Sequence, residues 1–480
     1  MTDHWQNFIG GEWVDGATGE TIVIEDPATA EPLGTSARAV PADVDRAVAA
    51  ARECVERRRL VDMRPAQRGR MLYEMASWIE HHADEVARWL TLDSGKPLTE
   101  ANWEVDNCTG FLRYYAGLAD KLEGSYIPLG SGYTDYVVPV PYGVSAHIVP
   151  WNYPLELAAR GAAPALAAGN AVVVKSPELD PIAVTYLARA AEEVGLPPGA
   201  FNLLCGYGHD AGEALSHHPG VDQITFTGSV DTGRKILHAA AESIIPATVE
   251  LGGKSPGIVL PDADLDVVTE QTRWGIFANA GQVCSALSRL IVHHSVHDEV
   301  VDRLVEAARS LDVGPGVDDR DMGPIISASQ LDRVHRYVRF GEEDGANLAT
   351  GGAKVDGLPG HFFEPTVFTE VSNDMTIARE EIFGPVLGVI PYADPSDALR
   401  IANDSDYGLV AGVFGNDLGL VTHLAEHLQA GQVFVNEWFS PAIEGPFGGF
   451  KLSGFGREKG QAALRSYYQL KNVSMRRELL

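Results

Sequence analysis

A cysteine, a strand-end glutamate and a few glycine-bearing turns are the groups in this chain best placed to do chemistry. Cys284 lies in Asn279-Ala280-Gly281-Gln282-Val283-Cys284-Ser285, among small residues. Gly281 permits close backbone approach, and the N–H of Cys284 can face a ligand. A thiolate there would be a nucleophile if a base or a local positive field stabilised its charge. Inert packing is the alternative for any buried cysteine, and it is the expected state of Cys54, Cys108 and Cys205. His293 and His294 follow a strand and are expected to be structural or exposed. The candidate base is Glu250, in Thr248-Val249-Glu250-Leu251-Gly252-Gly253-Lys254-Ser255-Pro256. It stands before a glycine pair that lets another group approach, and a carboxyl in an apolar cleft gains the raised pKa of a general base. A salt-bridged structural glutamate is the competing reading. Spacing alone does not bring Glu250 to Cys284.

The turns suit a nucleotide. Phe226-Thr227-Gly228-Ser229-Val230-Asp231-Thr232-Gly233 joins a strand to a helix, where free N–H groups and the Ser229 hydroxyl can meet a phosphate. A plain serine N-cap fits equally well. Gly206-Tyr207-Gly208-His209-Asp210-Ala211-Gly212 is a weaker candidate, one residue too long for GxGxxG. Lys175-Ser176-Pro177-Glu178 follows a β-branched run, at the strand edge where open α/β sheets bind ligands. There Lys175 and Glu178 could hold ribose hydroxyls, and the acid would repel a 2′-phosphate, favouring NAD over NADP. Two solvated surface charges are the alternative.

Positioning such groups requires alternating strands and helices. Residues 1–30 read as a small hairpin region closed by Pro27, followed by helices over 41–59, 65–92 and 102–122. Strands are expected at 144–149, 171–174, 201–204, 223–226 and 248–251, with helices ending at 168 and spanning 182–194, 210–216 and 230–241. That alternation makes parallel βαβ units and a Rossmann-like doubly wound sheet. A second α/β pattern starts at Gly252, with strands at 257–260, 290–292 and 386–390 and helices over 265–279, 298–310 and 396–404. An extended segment at 133–138 and a C-terminal strand at 467–475 remain, the latter needing a distant segment or another subunit as partner.

Composition narrows the classes. At ~100–200 residues per domain, 480 residues predict two to four domains. With 37 Lys+Arg against 66 Asp+Glu, the net charge of −29 argues against nucleic acid and anionic membrane partners. The four cysteines form no CxxC pair, so no metal site is expected and a reducing compartment fits. The amino-terminal residues lack a signal-peptide pattern, and the Ala-rich stretch 161–174 is too short to span a bilayer, so a cytoplasmic protein is expected.

Six segments in order extend the reading: Pro150-Trp151-Asn152-Tyr153-Pro154, Phe226-Thr227-Gly228-Ser229, Glu250 to Pro256, Gly281-Gln282-Val283-Cys284, Glu381-Ile382-Phe383-Gly384-Pro385 and Pro446-Phe447-Gly448-Gly449-Phe450-Lys451. Together they resemble the NAD(P)-dependent aldehyde dehydrogenase superfamily through nearly the whole chain. The resemblance implies an NAD-binding domain (1–121 and 140–251), a catalytic domain (252–460) and a small β oligomerisation extension (122–139 and 461–480) that makes a homodimer or homotetramer and gives the C-terminal strand its partner. It implies Cys284 as nucleophile, Asn152 and the Cys284 N–H as oxyanion donors, and Glu250 as the base that activates water on a thioester. For the cofactor it implies Ile148 and Trp151 in the cleft, Lys175 and Glu178 at the adenosine ribose, Gly208 by the adenine, Gly228, Ser229 and Gly233 at the pyrophosphate, and Glu381 with Phe383 at the nicotinamide ribose. NAD is the expected cofactor, with NADP accepted by some relatives that carry the same acid.

Two departures stand out. Gln461 replaces the second glutamate that many members use as a proton relay. In the substrate tunnel, Tyr153, Leu157 and Arg160 occupy positions that are more aromatic in enzymes of simple aliphatic aldehydes. Arg160 matches a carboxylate-binding position of succinate-semialdehyde enzymes whose second arginine is here Ala278, whereas Trp438, Pro441 and Glu444 resemble amino-aldehyde enzymes. These features point in different directions and assign no substrate. A CoA-acylating semialdehyde dehydrogenase and a non-catalytic binding protein of the same fold are the alternatives.

Overall fold

The computed structural model describes residues 3–440 and 442–477. Five parallel strands form the centre of the first sheet, in spatial order Ala247–Glu250, Gln223–Thr227, Val144–Ile148, Ala171–Ser176 and Phe201–Cys205. The strand that comes first in sequence, Val144–Ile148, lies in the middle, and the chain winds outward from it in both directions. This is the doubly wound arrangement, with its switch point between Val144–Ile148 and Gln223–Thr227. Central strands buried on both faces need continuous apolar runs, which is what Val172-Val173-Val174 and Leu203-Leu204 supply. The Ala-rich helix Pro154–Ala168 packs behind the switch point, and all of its residues are buried, including Glu156 and Arg160.

The second sheet runs Asn347–Thr350, Thr366–Thr369, Val386–Tyr392, Leu287–His293, Ser255–Val259, Val410–Phe414 and Gln432–Val435, parallel except for its first pair. Each sheet has its own apolar core. A third small sheet joins Ser125–Ile127, Tyr133–Pro141 and Tyr468–Arg476.

Several expectations need correction. The helix expected over 65–92 is two helices, Pro65–His81 and Ala83–Ser94. The chain leaves helical geometry at His82, whose ring bonds the Trp78 carbonyl at 2.8 Å. The helix expected over 102–122 is Leu98–Leu118 and starts directly after Pro97. The segment 210–216 opens with a wide π turn, Gly208–Gly212, before the helix Glu213–Ser216. Gly454–Phe455, expected with the catalytic part, pairs antiparallel with Ala247–Glu250 and covers an edge of the first sheet. The C-terminal strand takes its partner from its own chain: Tyr468–Arg476 pairs antiparallel along Tyr133–Pro141. Another subunit is therefore not needed to complete it. Among the described residues no helix is long and apolar enough to cross a membrane, and no group of three or more metal-ligating side chains comes together.

Candidate active site

Where the switch-point strands end, the chain turns into a cleft lined by Trp151, Asn152, Gly228, Ser229, Glu250, Cys284, Glu381 and Phe383, and also by Gln330 and Arg333. A second cavity is lined by Tyr153, Glu156, Leu157, Arg160, Ala278 and Lys459, with an aromatic wall that includes Trp103, Trp274 and Phe447. Asn152 and Cys284 line both. The sulfur therefore stands where the two spaces meet, and it keeps part of its surface open while the other three cysteines are buried.

Cys284 reaches this point by an unusual turn. Asn279, Ala280 and Gly281 all have left-handed backbone, at φ 46°, 52° and 71°. A Cβ at Gly281 would collide with the Gly384 carbonyl, so the glycine is required by close approach as well as by φ. The turn is tied to the first sheet's loop: Asn279 Nδ2 donates to the Asn152 carbonyl at 2.9 Å, and Asn152 Nδ2 donates to the Gln282 carbonyl at 3.0 Å. Gln282 in turn donates to the Asn279 carbonyl and accepts from the Ile326 N–H. Burial pushes the Cys284 thiol up to about 12, against the opposing pull of the Arg160 guanidinium. The resting group is thus a neutral thiol that needs a base or a bound cation to become a thiolate.

Glu250 is 2% exposed, the Gly449 backbone N–H lies by its carboxylate, and among the described residues no side chain pairs with it. Burial raises its pKa well above the usual carboxylate range, Glu458 adds to the rise, and Arg160 and Arg457 oppose it. Gly448 packs so closely that a Cβ there would lie 2.7 Å from Glu250 Oε1. The salt-bridged alternative for Glu250 is thereby excluded. Arg160 spends its charge elsewhere, on an ion pair with Glu458 in the protein interior. It lines the second cavity with its charge already paired, so it is not a free anion receptor.

The cofactor candidates divide into two groups. Glu381 accepts from the Gly253 N–H at 2.9 Å, and a side chain at Gly252 would strike its carboxylate, so the glycine pair does admit another group. Burial holds the Glu381 carboxyl up at about 7. The Trp151 and Phe383 rings meet edge to face at 5.2 Å on the cleft wall. Ser229 caps its helix by accepting from the Thr232 N–H at 3.3 Å and also lines the cleft. Ile148, Lys175, Glu178 and Gly208 lie outside the enclosed volume. Lys175, at the end of its strand, bonds Glu178 at 2.9 Å, and the space around Gly208 is open. Gly233 is a packing glycine, because a Cβ there would come within 2.6 Å of Leu251. A long, thin ligand with a ribose at each end suits this donor set, and the glycines leave its path free.

Trp438, expected in the tunnel, lies behind the tunnel wall. It packs on Gly275, Gly412 and Phe434, and its Nε1 donates to the Ser285 carbonyl at 3.1 Å. Pro441 lies outside the described residues, and Glu444 and Gln461 are exposed. Missing from the expected set are Glu156, Glu458 and Lys459. The signal for the first was present: Glu156 and Arg160 are the two charged residues of an otherwise Ala-rich helix, one turn apart on one face.

Residues 13–473 match the family model described as "Aldehyde dehydrogenase family". An aldehyde dehydrogenase of Aspergillus niger is 43% identical over 471 residues, covering 98% of this chain and 94% of that protein. Human retinal dehydrogenase 2 is 41% identical over 477 residues, covering 98% and 91%. The solved NAD+ complex of an aldehyde dehydrogenase from Bacillus cereus superposes with a TM-score of 0.97 at 39% identity, covering 99% of this chain and 97% of that one.

Proposed function

The chain belongs to the aldehyde dehydrogenase family and oxidises an aldehyde with reduction of NAD, and we propose that Cys284, Asn152 and Glu250 divide the protein's share of that reaction. The observation that carries this assignment is the meeting of two cavities at Cys284, with Asn152 beside it and, in the same cleft, a buried carboxylate that no described side chain pairs with.

The Cys284 thiol passes its proton to Glu250, which releases it to solvent, and the sulfur attacks the aldehyde carbon while the carbonyl oxygen gains the negative charge. Asn152 Nδ2 and the Cys284 N–H stabilise that oxygen. Preorganised donors of this kind lower a barrier by about 3–4 kcal/mol each. Bound NAD supplies the acceptor for the hydride that leaves the tetrahedral carbon. The remaining thioester is hydrolysed by water whose proton goes to Glu250, which releases the carboxylic acid and restores the cysteine. Trp151, Phe383 and Glu381 orient the nicotinamide half, and the first turn after Ser229 takes the pyrophosphate. Glu178, paired with Lys175, sets the preference for NAD over NADP. These assignments make the first sheet the cofactor domain and the second the catalytic domain.

The finer calls on assembly and location rest on less. The three-stranded sheet exposes Tyr126, Ile127, Tyr133 and Leu470, which supports pairing of subunits through it into a homodimer or homotetramer. Four free cysteines support a reducing compartment such as the cytoplasm. A buried base at position 250 opposes the CoA-acylating alternative, in which no water needs activating. The test is to incubate enzyme, NAD and an aldehyde panel without CoA and to quantify NADH and acid. Equal amounts of the two support hydrolysis, and NADH that appears only with added CoA overturns it.

A further inference from the structure

We propose that Lys96, held by Glu104, is a positioning residue for the oxyanion hole and acts through Asn152. This rests on the role given to Asn152 above. Lys96 is 1% exposed and lines neither cavity. Its Nζ lies between the Glu104 carboxylate and the Asn152 carbonyl, donating to the latter at 2.9 Å, with the Tyr153 ring centroid 4.3 Å away. The other Glu104 oxygen accepts from the Leu155 and Glu156 N–H groups at 2.9 and 3.1 Å. Those are first-turn donors of the helix Pro154–Ala168, which has no side-chain cap of its own. One buried ion pair therefore fixes both the Asn152 carbonyl and the start of the helix that follows it.

A second acid on the same helix completes the clamp. Glu100, one turn before Glu104, accepts from the Asn279 N–H at 2.8 Å, and Asn279 Nδ2 donates to the same Asn152 carbonyl that Lys96 holds. The strained left-handed turn before Cys284 and the loop carrying Asn152 are thus both anchored to one face of the helix Leu98–Leu118. Strain of that kind persists only where its surroundings over-determine it. A buried ion pair is a weak source of stability, so the charges are better explained by the precision with which they place a backbone carbonyl.

The test is a double-mutant cycle. Lys96→Met is expected to lower kcat for aldehyde oxidation by about 10²-fold, with the NAD Kd and the rate of Cys284 alkylation by iodoacetamide unchanged. In an Asn152→Ala background the same change is expected to cost less than about threefold. Losses that multiply in the double mutant overturn the proposal while leaving Asn152 in its role. An Asn152→Ala enzyme with full kcat overturns both. Should Lys96→Met not fold, Lys96→Arg and Glu104→Gln are measured in the same cycle. A normal kcat in both, or a loss undiminished without the Asn152 amide, overturns the assignment.

Discussion

The two cavities that meet at Cys284 are built in different ways. The cofactor cleft is made largely of backbone: a switch point, the start of a helix, and glycines that leave room, with Glu381 and the Trp151–Phe383 pair added at the inner end. The tunnel is made of side chains drawn from distant parts of the chain, with Trp103 on one helix, Glu156 and Arg160 on another, and Phe439, Phe447 and Lys459 near the C-terminus. A site that grips through turns and main chain is constrained to one ligand shape. One that grips through side chains can change ligand by substitution without disturbing the fold. This explains why the chain declares its cofactor clearly and its aldehyde poorly.

Substitutions at the junction should damage both halves of the reaction, and those on one side only that side. Cys284→Ala should abolish oxidation, by more than about 10⁴-fold in kcat, with NAD binding intact by fluorescence titration. Substantial remaining turnover would remove the shared sulfur from the mechanism. Glu250→Gln should lower steady turnover by about 10²–10⁴-fold after a burst of one NADH per site, as read by stopped-flow absorbance. A normal steady state without a burst would point to another base.

The pH profile probes the charges behind the junction. Glu250 has a raised pKa, so it is protonated below that value and a base only above it, and thioester hydrolysis should rise with pH through its titration. Glu458→Gln removes a like charge and should move this limb of the kcat profile to lower pH. Arg160→Met removes an opposing cation and should move it to higher pH. Identical profiles in all three proteins would show that the limb belongs to another group.

The smallest effects separate the two cavities most directly. Glu178→Ala should raise the relative use of NADP by about tenfold with no change in the aldehyde KM. Glu156→Gln should shift aldehyde KM values by less than about tenfold across a charged and neutral panel, with the NAD KM constant. A change that crosses from one cavity to the other would mean that they are coupled through Asn152 and Cys284 and are not built independently.

Much of the first sheet was readable because strand runs such as Val172-Val173-Val174 declare burial on both faces, and the turn at Gly228-Ser229 declares a helix start. The second sheet was read less completely: the strands Thr366–Thr369, Val410–Phe414 and Gln432–Val435 are short apolar runs with no periodicity to set them apart from neighbouring segments. Trp438 was misplaced because a motif fixes a residue's neighbourhood and leaves open the side of the wall to which its ring turns. Lys96 and Glu104 gave no warning, since a lysine after a glycine and a glutamate within a helix look the same whether solvated or buried.

The resemblance of its ordered segments pointed to the sulfur, the amide and the carboxylate, and the local pattern of the amino-acid sequence determined the alternation of strands and helices and the glycines required by backbone geometry. Those features are local, set by side-chain size, φ restriction and apolar period. Only the tertiary structure decided which charges cancel: Arg160 by Glu458, Lys96 by Glu104, and Glu250 left without a paired cation among the described residues. Charge pairing in a low-dielectric interior depends on distances between segments far apart in the chain, and no local pattern encodes them.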